Sequence, residues 1–467
     1  MIVKFPLFAN IGSDDSTQFS DEQARNVYNA VSSGTKQAGV KVFPGLKPVA
    51  TGAGVDRGDH VMSEVRYVIN GTALYRESVA GVRTSLGTIT GSDRAIFADD
   101  GTNLYFTANN SLYKYDGSTV ATVSQSVVSN PSSIAYINRQ FIITGDNGLF
   151  ATSNVNDGST YNALNFAEAE TQPDPLLRAY YFSQLIYMMG SKTIELWRNT
   201  GTGNPPFTRQ DTSLVNVGLA GKHAVTNTDQ YMYWLGDDRK FYKCVASSYQ
   251  SITSAGVANI VSEMDNYSGC IASSFVHDGQ DFVMFKFPAE NRTLVYSETL
   301  SYWFELSSGT DSDFIAEWYG NSVTYCYGKN LVTDHRNGNT YELDAETYTD
   351  NSDARLWVLG TRNFTADDIQ GSGRITARQA FFNMQVGVGL ATGQGVDPVL
   401  LCQFSAEGGE VYLTQQQVKI GEMGNYKKRV QFDQFANGYQ IRLKVMGSDP
   451  VPITMWQGEI DLIPGGY

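Results

Sequence analysis

Histidine and cysteine are both scarce, with four of each in 467 residues. His60, His223, His277 and His335 stand alone on polar or turn-like stretches, and no H-x-x-x-H or H-x-H pair offers a metal two ligands from one element. Cys244, Cys270, Cys326 and Cys402 are 26, 56 and 76 residues apart, which is neither a zinc spacing nor a disulfide framework, so they read as small buried hydrophobes. Charge is thin at 18%, and 34 basic against 48 acidic residues leave a net −14. Without a Lys/Arg run able to neutralise a series of phosphates, a sequence-reading nucleic-acid binder is disfavoured. No apolar run approaches the ~18 residues that a membrane span needs. Residues 1–10, broken by Pro6, hold no signal-type apolar core, so we expect a soluble protein made in a cytoplasm.

Catalytic motifs are equally sparse. No Gly-x-Ser-x-Gly elbow, Walker loop or EF-hand loop occurs in its proper strand and helix context, and Thr392-Gly393-Gln394-Gly395 reads as a turn between strands, not a phosphate cradle. The segment His277-Asp278-Gly279-Gln280-Asp281 has the residues of a general-base cluster but the composition of a hairpin turn. Asp99-Asp100-Gly101-Thr102 and Ser405-Ala406-Glu407-Gly408-Gly409 match the Ser-x-Asp-x-Gly turn of sialidase-like propellers only loosely. We therefore assign no catalytic, cofactor-binding or metal residue and expect no cofactor and no enzyme. Carboxylates are plentiful enough that a pair at glycosidase separation stays open.

What is abundant is strand chemistry. Aromatics make up 12% and Gly 45 residues, an all-β, turn-rich profile. Helical signal is confined to Ser20-Asp21-Glu22-Gln23-Ala24-Arg25-Asn26-Val27-Tyr28, where Ser20 and Gln23 form a capping box; one short helix is expected there. From about residue 60 onward, period-two strands alternate with tight polar turns. A repeated hairpin ends at Leu74-Tyr75, Leu112-Tyr113, Leu149-Phe150, Leu196-Trp197, Phe241-Tyr242, Val295-Tyr296 and Tyr341-Glu342, at steps of 38, 37, 47, 45, 54 and 46 residues. That is the size of a four-stranded propeller blade, and one blade cannot bury both faces of its sheet unless a ring of blades does so. We read an all-β chain with a six- or seven-bladed β-propeller.

Around residues 350–375 the texture turns Asp-, Asn- and Gly-rich, and the strands beyond, such as Gln379 to Val386, Pro398 to Phe404 and Tyr439 to Val445, lack the blade signature. They read as a C-terminal β-sandwich domain. The division is thus an N-terminal arm over 1–58 carrying the helix, a propeller over 59–350, and a linker and sandwich over 351–467. The arm, ended by Pro44-Gly45, either closes the propeller or reaches a neighbouring subunit.

Several landmarks keep the order of one family. Asn26-Val27-Tyr28 and Phe43-Pro44-Gly45-Leu46 open the series; Ala167-Glu168-Ala169-Glu170-Thr171-Gln172-Pro173-Asp174-Pro175 leads into Leu185 to Trp197, Thr200-Gly201, Pro206-Phe207 and Val217-Gly218-Leu219-Ala220. Phe282 to Pro288, Thr293 to Tyr296, Tyr302-Trp303-Phe304-Glu305 and Asn337 to Asp344 follow. Together they resemble the packaged-DNA stabilisation protein of short-tailed phages, also described as the tail accessory or tail nozzle protein. The resemblance implies a virion tail protein with copies of itself in a ring, six in the best-known members, below the portal and adaptor ring. There it would extend and seal the DNA channel and stabilise the packaged genome. It also implies a distal needle, spike or fibre partner, and double-stranded DNA passing through the lumen without sequence-specific binding. An acidic ring would repel phosphate and let DNA slide. The alternative from composition and repeats alone is a carbohydrate-binding or glycosidase-like propeller of a phage or cell surface.

Overall fold

The computed structural model describes residues 1–12, 23–31, 38–146, 148–169, 174–210, 214–413, 415–433 and 437–465. Its centre is a ring of four-stranded antiparallel meanders. Blade 1 is Asp56–Met62, Val65–Asn70, Ala73–Glu77 and Arg83–Thr88; blade 2 is Ile96–Asp99, Leu104–Ala108, Ser111–Tyr115 and Val120–Thr122. Blade 3 is Ser133–Ile137, Gln140–Thr144, Leu149–Asn154 and Asp157–Glu168, and blade 4 is Leu176–Phe182, Leu185–Gly190, Ile194–Asn199 and Phe207–Arg209. Blade 5 is Val225–Asn227, Met232–Leu235, Phe241–Val245 and Ser248–Ser251. Blade 6, Ile271–His277, Gln280–Phe287, Arg292–Ser297 and Tyr302–Glu305, is half of a larger sheet. Blade 7 takes Gly320–Cys326, Lys329–Asp334 and Thr340–Asp344 from its own stretch and its fourth strand, Gly45–Ala50, from the N-terminal region. Six sectors are thus free-standing four-stranded sheets, and blade 6 fills the seventh by packing its inner strand between those of blades 5 and 7.

The seven repeated hairpins of the sequence are the third strands of these seven sectors. Why the ring closes is visible in single strands. Adjacent residues point to opposite faces, so Phe106 enters the core between blades 1 and 2 while Tyr105 enters the core between blades 2 and 3. Ile142 and Ile143 divide in the same way, and Trp197 of blade 4 meets Phe150 of blade 3 edge-to-face at 5.0 Å. Inner and second strands are joined at five blades by two-residue turns with both residues at positive φ: Ser63-Glu64, Asn138-Arg139, Ser183-Gln184, Asp278-Gly279 and Tyr327-Gly328. This conformation follows the twist of the hairpin and brings all five turns to one face of the ring.

The helix expected from Ser20 does not extend into residues 24–28. Ser20 to Glu22 lie outside the described residues, while Ala24–Arg25 and Val27–Val31 are strands. Ala24, Arg25, Val27 and Tyr28 are all buried, and pairing into two sheets outweighs the local capping signal. The α-helix that is seen, Ala255–Ser262, links blades 5 and 6; Ser254 caps it by accepting from the Val257 N–H, and Val257 and Val261 face the core.

Two further sheets form a β-sandwich from both ends of the chain. One contains Val27–Val31, Ala38–Val42, Thr454–Pro464, Ile375–Met384 and Val430–Asp433 in that order, with Ile2–Phe5 against Thr454–Pro464 and Asn437–Gly438 against Ile375–Met384. The other continues blade 6: beyond Tyr302–Glu305 come Ala24–Arg25, Trp357–Gly360, Arg442–Gly447, Val399–Ser405 and Gln416–Lys419, nine strands in all. Ala24–Arg25 joins the halves, with Arg25 parallel to Glu305 on one side and antiparallel to Val358 on the other. Ile375, Ala377, Phe382, Cys402, Phe404, Leu443 and Val445 fill the space between the two sheets, in one apolar cluster with blade 6.

Asn26 sits where these pieces meet. It is fully buried at φ 57°, a left-handed conformation that Asn tolerates better than other side-chain-bearing residues. Its N–H donates to Glu305 O at 2.8 Å, and its carbonyl accepts from the Phe43 N–H at 2.8 Å. Its amide donates to Ser307 O at 2.8 Å and Leu356 O at 2.7 Å and accepts from the Ser307 N–H at 3.1 Å. Asn26→Ala would strand two carbonyls and one N–H and should cost roughly 3–5 kcal/mol. Asn26→Gly, which keeps the left-handed backbone at ease, should cost about 1 kcal/mol less. Denaturant unfolding followed by tryptophan fluorescence checks both; an Asn26→Ala variant as stable as the wild type contradicts the assignment.

Candidate functional site

The inner strands surround a polar cavity of about 450 Å³ on the propeller axis. Inner strands border the open axis as well as the neighbouring blades, so polar side chains occur among their residues. Arg94, Arg178, Tyr180, His223, Ser273 and Ser322 are among the residues on its wall. On one side the charges are matched. The buried Asp56 carboxylate accepts from Arg94 Nη1 at 2.7 Å, Asn321 Nδ2 at 2.7 Å and Thr333 Oγ1 at 3.1 Å, and Arg94 Nη2 donates to Ser322 Oγ at 2.8 Å. Behind it, fully buried Arg66 bridges Asp59 at 2.8 Å and Glu77 at 2.6 Å, and Arg83 adds a second bond to Glu77 at 2.8 Å. Burial alone would push the Glu77 carboxyl up, but Arg66 and Arg83 outweigh it and hold the group below its usual range.

The opposite side is not matched. Arg178 donates Nη1 to Lys222 O at 2.8 Å and lies over the Tyr180 ring at 5.0 Å, while Tyr180 donates to Asn227 Oδ1 at 2.6 Å. No carboxylate pairs with Arg178 among the described residues. Burial, reinforced by Arg94, pushes its guanidinium down to about 10. Burial likewise keeps His223 neutral, well below the ordinary histidine range, with Arg94, Arg178 and Lys222 adding to the effect. Arg178 Nε and His223 Nε2 are buried without a hydrogen-bond partner.

The other residues singled out in the sequence are dispersed. His60 bonds Asp99 at 2.7 Å and stacks on Phe97; His335 lies 3.3 Å from Glu317 and is pushed down to about 4 by burial, with Lys286 adding to it. His277 packs edge-on to Tyr28, and Asp278 accepts from Lys41 Nζ at 2.7 Å and Tyr28 Oη at 3.1 Å, so this pair docks the N-terminal hairpin on blade 6. Asp99, Asp100 and Ser405 accept backbone N–H groups of their own turns. Gly393 and Gly395 lie in a turn at positive φ. The four cysteines are buried and unlinked. Among the described residues no three His, Cys, Asp or Glu side chains converge as metal ligands, and no helix is long and apolar enough to cross a membrane.

Two surface features escaped the sequence reading. Leu164 and Phe166 project from the outer strand of blade 3 at 68% and 42% exposure, Leu164 where the pairing with Leu149–Asn154 is interrupted and Phe166 opposite Ala151 at its edge. In the sandwich, Met423, Tyr426, Lys427, Lys428 and Arg429 form an exposed loop, a basic and apolar spot on an acidic chain. Neither has a periodic signal, since each is defined by what fails to cover it.

A family model described as bacteriophage P22 Gp10, β-propeller, matches residues 3–348. The chain belongs to this phage stabilisation family. The matched region runs from the first strand through the last strand that blade 7 takes from its own stretch. It is therefore a phage tail and DNA-stabilisation protein by family, as the landmark order implied. No curated protein matches the sequence. Among solved structures, the computationally designed Ika8 protein is 10% identical, covering 72% of this chain and 99% of its own, with a TM-score of 0.40. The WD40 propeller domain of Doa1 is 13% identical, covering 65% and 99%, with a TM-score of 0.44. The extracellular domain of a one-component system from B. thetaiotaomicron is 12% identical, covering 82% and 48%, with a TM-score of 0.45.

A lysine buried where blade 6 meets the start of blade 7 carries a pH signature. Lys286 of blade 6 is fully buried and donates Nζ to Trp318 O and Gly320 O, both at 2.7 Å, beside Glu317 at 2.9 Å. Burial pushes its ammonium down to about 8, with Glu317 opposing. Between pH 8 and the ordinary value of 10.5 the unfolded chain holds a proton that the folded chain has released. Stability contributed by this site must therefore rise with pH across that window. Relative to Lys286→Met, the wild type should gain roughly 2–4 kcal/mol from pH 8 to 10.5 in denaturant unfolding; a constant difference contradicts it.

Proposed function

We propose that this member of the phage stabilisation family is a structural, non-enzymatic subunit of a short phage tail. About six copies form a ring below the portal and adaptor, extend and seal the DNA channel, and keep the packaged genome in. The observation that carries this reading is the family match over residues 3–348. Physical features of the chain support it. The net charge of −14 suits the wall of a DNA passage, because a ring multiplies it and phosphate is repelled instead of gripped. A nine-stranded sheet through blade 6 and the sandwich makes a stiff subunit, which a sealing ring requires. Exposed apolar side chains such as Leu164, Tyr325 and Tyr426 supply area for contacts with neighbouring copies and with a distal needle, spike or fibre protein. The subunit is made in the host cytoplasm and ends in the virion tail.

Mass photometry of the purified chain, alone and mixed with a portal and adaptor complex from the same phage, tests the proposal. A complex gaining about six chains is expected. A chain that stays monomeric in the presence of the complex overturns it and redirects attention to the carbohydrate-binding alternative.

A further inference from the structure

Two exposed surfaces of the chain are complementary to each other. The first is a groove of about 440 Å³ where blades 5, 6 and 7 meet, on the propeller face that carries the five inner turns. Val276 and Tyr325, from the inner strands of blades 6 and 7, line it and are exposed, Tyr325 at 67%. Asn330 Nδ2 donates to Val276 O at 2.8 Å and holds the two walls together. Asp281, opposite Val276 on the next strand, and Asp229, from the first turn of blade 5, bring two carboxylates to the groove. Partial burial, with Asp229 and Glu298 adding like charge, pushes the Asp281 carboxyl above its ordinary range, so an arriving cation relieves a repulsion already present.

The second surface is the loop from Met423 to Arg429. It connects Gln416–Lys419, the last strand of the nine-stranded sheet, to Val430–Asp433, the last of the other sheet. Met423, Tyr426, Lys427 and Lys428 are exposed, Tyr426 at 73%. The loop is tied to its own sandwich: Gly424 N–H donates to Gly387 O at 3.2 Å, Gly387 N–H donates to Ile420 O at 3.2 Å, and Arg429 lies over the Phe381 ring at 4.1 Å. Eight strand spacings, roughly 38 Å along the sheet, separate Gln416–Lys419 from the groove strand Ile271–His277. A loop held in this way does not reach the groove of its own chain.

We propose that this loop seats in the groove of a second copy of the chain, Lys427 and Lys428 against Asp229 and Asp281, and Met423 and Tyr426 against Val276 and Tyr325. Opposite charges then meet in a partly desolvated groove, and a lysine over the Tyr325 ring adds a cation–π contact. Loop and groove lie at opposite ends of the shared sheet, so the contact is head to tail, the kind that repeats from copy to copy and closes into a ring. It rests on the ring proposed above, for which it supplies the join between neighbours.

The test counts full-length chains added to the portal and adaptor complex of the same phage by mass photometry. Lys427→Glu with Lys428→Glu, and separately Asp229→Lys with Asp281→Lys, should each cut the number added at least threefold relative to the wild type. A one-to-one mixture of the two variants should recover the wild-type number, because a reversed loop then meets a reversed groove and a native loop a native groove. Chains that fail to fold cannot recover in this way. In a second measurement the charges are left intact and one chain carries both Tyr325→Cys and Tyr426→Cys, the native cysteines being buried. On the complex, a short bismaleimide should link these chains into a ladder beyond the dimer, and chains with either cysteine alone should give no ladder. Either charge variant assembling as well as the wild type, a mixture that does not recover, or a double-cysteine chain that stays unlinked overturns the contact and leaves the ring standing. A wild type that adds no copies overturns the ring itself, and the contact with it.

Discussion

The rest of the architecture depends on the five hydrogen bonds of one buried asparagine. Through Asn26 the strand Ala24–Arg25 completes the join between blade 6 and the sandwich, and the chain then turns into the other sheet as Val27–Val31. The left-handed backbone at Asn26 lets two strands separated by one residue belong to different sheets. Phe43, whose N–H bonds the Asn26 carbonyl, packs against Tyr28, Phe275, Phe282 and Phe304. Arg355 then fixes the next step by donating to the Phe43 and Pro44 carbonyls and to Asp350. From there Gly45–Ala50 enters blade 7 and closes the ring. One short stretch of chain therefore closes the propeller and fuses it to the sandwich.

That fusion gives the acidic, cysteine-unlinked chain its rigidity. A propeller alone resists deformation through its closed ring of blades, and a sandwich alone through its two-sheet core. Sharing a sheet removes the flexible linker that would otherwise separate them. For a tail subunit this has a mechanical consequence: load applied to the sandwich is carried into blade 6 by backbone hydrogen bonds across nine strands rather than by a surface contact.

Much of the propeller was legible because its rule is local and repeated. The pairs beginning at Leu74, Leu112, Leu149, Leu196, Phe241, Val295 and Tyr341 each carry the apolar alternation of a third strand that packs on both neighbours. Capping chemistry at Ser20 and Gln23 misled for the reverse reason. It is a local preference, and Ala24, Arg25, Val27 and Tyr28 answer to sheets built by residues hundreds of positions away. The nine-stranded sheet was illegible for the same cause, since Arg25 meets Glu305 and Val358 only after the ring has formed. The cavity on the axis was hidden too. Arg94, Arg178, His223 and Ser322 come from different sectors, and none carries a spacing that announces the others.

The claim at the centre of this account is that propeller and sandwich are one hydrogen-bonded body joined at Ala24–Arg25. Hydrogen–deuterium exchange on the intact chain addresses it directly. The account predicts that amides of Ala24–Arg25, Trp357–Gly360 and Arg442–Gly447 are protected to the same degree as those of Arg292–Ser297 and Tyr302–Glu305, and open together with them under mild denaturant. Rapid exchange of Ala24–Arg25 and Trp357–Gly360 while blade 6 stays protected would contradict it.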